Sequence, residues 1–156
     1  APLVAEGVLI LAAGHMTHNR REWIADARRR GSMSVDEREP AAYVREFTAW
    51  VDDALRRNDR LALAHWAEAA PHAPRAHPTP EHFLPLMVAV GAAGRSPRVE
   101  RIEAGVDSGV LAMDAYLFWP RPRFRRRRAA RESRRGGLPR ARRRGPQVRG
   151  RSAPRR

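Results

Sequence analysis

The sequence predicts an α/β fold: a mixed central sheet flanked by helices, incomplete at its N-terminus and followed by a disordered arginine-rich tail. Three observations predict it. The run "EGVLILAAG" is short, continuously apolar and closed by glycine, as a buried strand is. The middle of the chain holds segments with helical apolar spacing and helix-start residues. Two strand-like runs, "RVERIEAGV" and "GVLAMDAYLF", are joined through "DSG", a hairpin-like link.

Charge divides the chain of 156 residues, whose net charge is +14. Residues 120–156 hold 17 arginines against one acid, Glu132, or +16. Residues 1–119 hold 14 arginines and 16 acids, or −2. The expected organisation is therefore a folded part at 1–119 and a tail at 120–156. The tail is rich in Pro, Gly and Arg and has too few large apolar residues to offset the entropy of ordering, so disorder is expected from about Pro120. One reading makes it a basic arm that grips the phosphates of a nucleic acid. Against that, Phe124 is its single aromatic residue, so base stacking has little to work with. The favoured reading is a terminal extension without a folded role, such as a shifted reading frame in a GC-rich gene would give. The absence of lysine from the whole chain fits such a source.

There is no cysteine, which excludes disulfides and thiolate metal sites. Any metal must be held by histidine, carboxylate or water, a donor set suited to iron, zinc or manganese. The apolar runs are too short to span a bilayer, and no signal peptide is expected, since the first residues show neither its n-region nor its h-region. A cytoplasmic protein without a membrane partner is expected, its start at Ala1 reading as a truncation.

The elements follow in order. Residues 7–12 form the central buried strand. "HMTHNRREW" leaves it as a loop entering a turn or helix. Residues 40–57 put Tyr43, Phe47, Trp50, Val51 and Ala54 on one helical face, with Pro40 at the start. Residues 59–70 form a second helix with Asp59 as N-cap. Residues 71–78, broken by Pro71, Pro74 and Pro78, form a loop. Thr79 then caps a helix with Pro80 in its first position, and the helix stops at Gly91 or Gly94. Pro85 kinks this helix or lies near its first turn.

Six histidines could carry chemistry. His65, inside a helix beside Trp66, reads as structural, and His72 and His77 as solvent-exposed loop residues. His15 and His18 follow the predicted strand at its carboxyl end, where α/β folds place their sites; they read equally as polar loop residues. His82 falls at about the third residue of its helix. The positive end of a helix disfavours imidazolium, so a histidine there has a lone pair for a metal; a structural cap histidine fits as well. Glu81 points about 100° away from it.

"EGVLILAAGHMTHN", a Phe/Trp-bearing helix, "AHPTPEHFLPLMVAVGAAG" and "GVLAMDAYLF" together resemble, in that order, the C-terminal half of the class III extradiol ring-cleavage dioxygenases. The nearest branch is the DOPA 4,5-dioxygenase-like group, with the subunit-B fold of protocatechuate 4,5-dioxygenase. The resemblance covers about residues 1–118 and has no counterpart for the tail. It implies a non-haem metal, normally Fe(II) and in some members Zn(II). It implies two ligand histidines from an N-terminal half that this chain lacks, and a third ligand at the position of His82. His18, in "THN", matches the acid/base. The implied substrates are a catechol, which chelates the metal through both oxygens, and O2. The ring opens beside the hydroxyls to give a muconic semialdehyde. One departure is Ala12-Ala13-Gly14 where the family commonly has Gly-Ser-Gly. Gly14 is expected to keep the backbone freedom needed there. His18 and His82 are expected to meet across one cleft, 64 positions apart in sequence. With one matched ligand, residues 1–156 alone are expected to bind metal weakly and to leave catechols intact.

Overall fold

The computed structural model describes residues 2–119. Expectations for the tail, its disorder and its phosphate-gripping alternative lie outside the described residues. Among those described, seven helices precede four strands. They are α1 (Pro2–Ala5), α2 (Arg20–Arg30), α3 (Ala42–Arg56), α4 (Arg60–Ala64), α5 (Trp66–Ala69), α6 (Ala73–Ala76) and α7 (Leu84–Ala92). The strands are β1 (Arg98–Ile102), β2 (Val106–Asp107), β3 (Leu111–Ala112) and β4 (Ala115–Trp119). The class is mixed α and β. No described helix is long and apolar enough to cross a membrane.

Helix α3 is the axis of the core. Its buried residues Tyr43, Val44, Phe47, Val51, Ala54 and Leu55 recur at the three- and four-residue spacing of one helical face. They pack with Leu63, Trp66, Phe83 and Val90 from the following helices and with Met16 and Ala112. Trp50 sits at the edge of this cluster. Asp59 caps α4 as expected, its side chain accepting from the Ala62 amide at 3.0 Å. The single helix expected over 59–70 is broken at His65, whose φ/ψ of −106°/30° is not helical. His65 is exposed and joins α4 to α5 rather than lying inside a helix.

The strands form two antiparallel pairs. β2 and β3 make a tight hairpin through Ser108 and Gly109, both with positive φ. β1 and β4 flank it and pair from Arg98 with Trp119 to Ile102 with Ala115. Both outer strands alternate exposed and half-buried residues, and Val99, Tyr116 and Phe118 lean on the core. The hairpin expected around "DSG" is present. Asp107 fastens it to α2, accepting from Trp23 Nε1 at 2.8 Å and from the Asp36 amide at 3.0 Å.

One expectation is corrected. Residues 8–14 form no strand, and Leu9 and Leu11 are each 88% exposed. A buried central strand needs ladder partners on its two sides, and no described strand pairs with residues 7–12. Apolarity states what a segment would bury, but a partner decides whether it is buried.

Candidate metal centre

The segment His15–Asn19 is stitched to its surroundings at every residue. The His15 amide donates to the His82 carbonyl at 3.0 Å and the Met16 amide to the Ala112 carbonyl at 3.1 Å. Thr17 is fully buried. Its hydroxyl donates to the Val110 carbonyl at 2.7 Å and accepts from the Ala112 amide at 2.8 Å. One side chain thus does the work of a peptide unit in joining this segment to the hairpin. The His18 amide donates to the Ala76 carbonyl at 2.8 Å. Asn19 caps α2 by accepting from the Glu22 amide at 3.1 Å, and its Nδ2 donates to the Arg75 carbonyl at 2.9 Å.

His82 comes from the other wall. It lies in the turn Pro80–Phe83 that precedes α7, not in the third position of a helix. The helix begins at Leu84, and Pro85 occupies its first turn, where a missing amide hydrogen costs nothing. Thr79 does not cap the helix; its hydroxyl donates to the Glu81 carboxylate at 2.6 Å. The two walls touch at Gly14. A Cβ on this residue would overlap the His82 carbonyl oxygen. Close approach of two backbones, and not a left-handed φ, is what requires glycine here.

Three imidazoles meet at this junction. His18 stacks on His82 with ring centroids 3.6 Å apart and planes inclined by 27°. His15 lies 5.1 Å from His18 and 5.7 Å from His82. One ring nitrogen from each falls within 4.8 Å of the others. All three rings are half-buried, and His15 Nδ1 is buried without a hydrogen-bond partner. Burial lowers the pKa of His15 and His18, and the neighbouring His82 charge lowers both further. Clustered imidazoles are a donor set for a divalent transition metal, so the residues fit one. His15, which the resemblance does not assign to the metal, joins His18 and His82 in this group. A bend at Met16 is the cause: regular strand alternation sends residues three apart to opposite faces, whereas here His15 and His18 share one.

The ring of His77 is not exposed, as its proline-rich loop implied, but 4% exposed. It forms the floor beneath the junction with Phe47, Trp66 and Phe83, all within 5.6 Å between centroids. Its Nε2 bonds the Met16 carbonyl at 2.9 Å. His72 is exposed as expected and pairs with Glu46 at 2.7 Å. A cleft of about 570 Å³ lies elsewhere, along α3 and the hairpin. Arg38, Arg45 and Arg101 face Glu37, Glu39 and Glu103 there, and none of the six histidines lines it.

Burial pushes His77 down to about 4, so the folded chain keeps it neutral where an unfolded chain protonates it near 6.5. Its contribution to stability is therefore complete above pH 6.5 and declines as pH falls from 6.5 towards 4. Urea unfolding should show a loss of about 2 kcal/mol between pH 7 and pH 5 from this residue. His77→Gln should flatten the slope; an equal slope in that variant would place the pH dependence elsewhere.

Sequence comparison then decides the family. The chain is 34% identical over 118 residues to a 4,5-DOPA dioxygenase extradiol of Beta vulgaris, an alignment covering 76% of this chain and 40% of that protein. It is 34% identical over 122 residues to the protein of the same name from Portulaca grandiflora, with the same coverage. The Mirabilis jalapa protein of that name is 31% identical over 121 residues, covering 77% of this chain and 42% of the relative. The chain is a partial relative of the extradiol dioxygenases. It spans about 40% of the length of the relatives it matches, within their C-terminal half. No family-wide sequence profile matches it. In this partial relative of the extradiol dioxygenases, His18 of "THN" and His82 of "PEH" stand in van der Waals contact. His15 is the third member of the cluster, drawn in by the Met16 bend.

Proposed function

We propose that this chain carries the proton-transfer side and part of the metal-binding side of a site for extradiol cleavage of a catechol-type ring with O2. The observation supporting it most is the contact of His18 with His82, the two residues that the family resemblance pairs as acid/base and ligand. In this reading His82 holds the metal, Fe(II) in the first instance and Zn(II) as the substitute. When bound, the metal supplies chelation of both catechol oxygens and a path for electrons between ring and O2.

The chain's own residues do the rest. His18 is held neutral by burial and by its imidazole neighbours, so its ring can accept the proton of a catechol hydroxyl and return it later. Its backbone is fixed to Ala76, which sets where that proton is taken. Thr17 and Asn19, on either side, hold the segment to the hairpin and to α6, so the anchor of the ring is fixed. The small-molecule partners are the catechol and O2.

The test is a chimera in which residues 1–119 replace the matching part of the Beta vulgaris relative, loaded anaerobically with Fe(II). O2 uptake matched to a yellow semialdehyde product is expected across a panel of catechols. A folded, metal-loaded chimera that consumes no O2 with any of them would refute the reading. The chain of 156 residues by itself is expected to leave catechols intact.

A further inference from the structure

A metal takes an imidazole nitrogen in the plane of the ring, at about 2.0–2.1 Å. Two imidazoles bound to one ion at roughly tetrahedral angles therefore have centroids about 5 Å apart. His15 stands 5.7 Å from His82 and 5.1 Å from His18, so by distance it is placed to share an ion with either. His18 and His82, at 3.6 Å and 27°, are not so placed towards each other. Rings stacked this closely send their lone pairs side by side, and no single point lies at bonding distance in both planes. One of the stacked pair is a ligand and the other its neighbour, while His15 is placed to share an ion with the ligand.

Two further observations bear on His15. Its Nδ1 is buried and has no hydrogen-bond partner, a condition that costs free energy unless something occupies the lone pair or takes the proton. Its amide is bonded to the carbonyl of His82 itself, so these two residues are tied together through the backbone. His18 is tied to Ala76 instead.

We propose that His15 is a metal ligand alongside His82, so that this chain holds a divalent ion through two of its own imidazoles, with His18 stacked on the ligand and free of the metal. The proposal rests on the ring-cleavage reading for the role of His82. It adds a ligand that the family resemblance does not supply. It also revises the expectation of weak binding, since two convergent imidazoles chelate where one does not.

Co(II) titrated into the full chain, followed by visible absorption and calorimetry, tests it without any assay of activity. His15→Ala and His82→Ala should each weaken Co(II) binding by at least about 10-fold, the least that even a supporting contact to a ligand is worth. His18→Ala should bind as the parent does. His15→Cys gives a readout that a merely supporting residue cannot: a thiolate on the ion adds a sulfur-to-metal charge-transfer band. It also decides the matter if His15→Ala fails to fold, which circular dichroism of the metal-free chains reports. Three results would overturn the proposal: parent-like affinity in His15→Ala, Co(II) bound by His15→Cys without the sulfur band, or no Co(II) uptake by the parent chain. The first two leave ring cleavage by the chimera untouched. An inactive chimera whose His15→Cys form still shows the band refutes the cleavage reading and leaves His15 as a ligand.

Discussion

His18→Ala in the chimera should lower the rate of ring cleavage by about 10²–10⁴-fold, the range for a lost general acid/base. That corresponds to roughly 3–5 kcal/mol of barrier. Co(II) or Fe(II) uptake should not change, because His18 stands on the face of His82 and not on the lone-pair side of the site. The backbone fixings of this segment survive the substitution, since they run through the His18 amide, Thr17 and Asn19. Stopped-flow absorbance at the semialdehyde band measures the rate, and metal analysis of the purified variant measures loading. A variant that loses metal along with turnover would make His18 a ligand and would void its role in proton transfer.

Gly14→Ala carries the largest expected structural effect. The new methyl group would overlap the His82 carbonyl oxygen, and backbone has no rotamer with which to give way. The two walls must separate, straining the packing and stretching the bond from the His15 amide to that carbonyl. Overpacking and a lost hydrogen bond together amount to roughly 2–4 kcal/mol. Urea denaturation of the full chain measures this. Metal affinity should fall in the same variant although no imidazole has been touched, because His15 and His82 are drawn apart. Stability within experimental error of the parent would show that the junction is looser than the lack of room for a Cβ at Gly14 implies.

The parts of this fold that were legible in the sequence are those fixed by local chemistry. The apolar spacing of α3 is one, since Phe47, Val51 and Ala54 must share a face whatever surrounds them. The Asp59 cap and the turn through Ser108 and Gly109 are others, each set by the conformation its own residues favour. The features that misled depend on distant residues. "EGVLILAAG" is apolar enough for a buried strand, but pairing is a property of two segments. His77 sits among prolines, a surface signal, yet the loop condenses into α6 and turns the ring onto Phe47 and Trp66.

The candidate site was legible in the same uneven way. "THN" and "PEH" pointed to His18 and His82, which the fold brings into contact. His15 was flagged for its place after the apolar run, but nothing in its spacing from His18 announced a shared face. That follows from the bend at Met16, which is imposed by the hydrogen bonds of Thr17 to residues more than ninety positions away. Gly14 was singled out for its conformational freedom. Its significance is instead the space it leaves, which becomes apparent only once the His82 carbonyl is in place.

The open segment at residues 8–11 has a consequence for how the chain behaves in a flask. Its amide and carbonyl groups have no ladder partner among the described residues, and Leu9 and Leu11 present bare hydrocarbon to water. A ribbon of that kind is a template on which a second ribbon can grow. The chain's net charge of +14 holds copies apart at low ionic strength, where the field reaches about 30 Å, but shrinks to about 10 Å in 0.1 M salt. Added salt should therefore turn the solution cloudy at concentrations it leaves clear for most basic proteins, and replacing Leu9 by lysine should restore clarity.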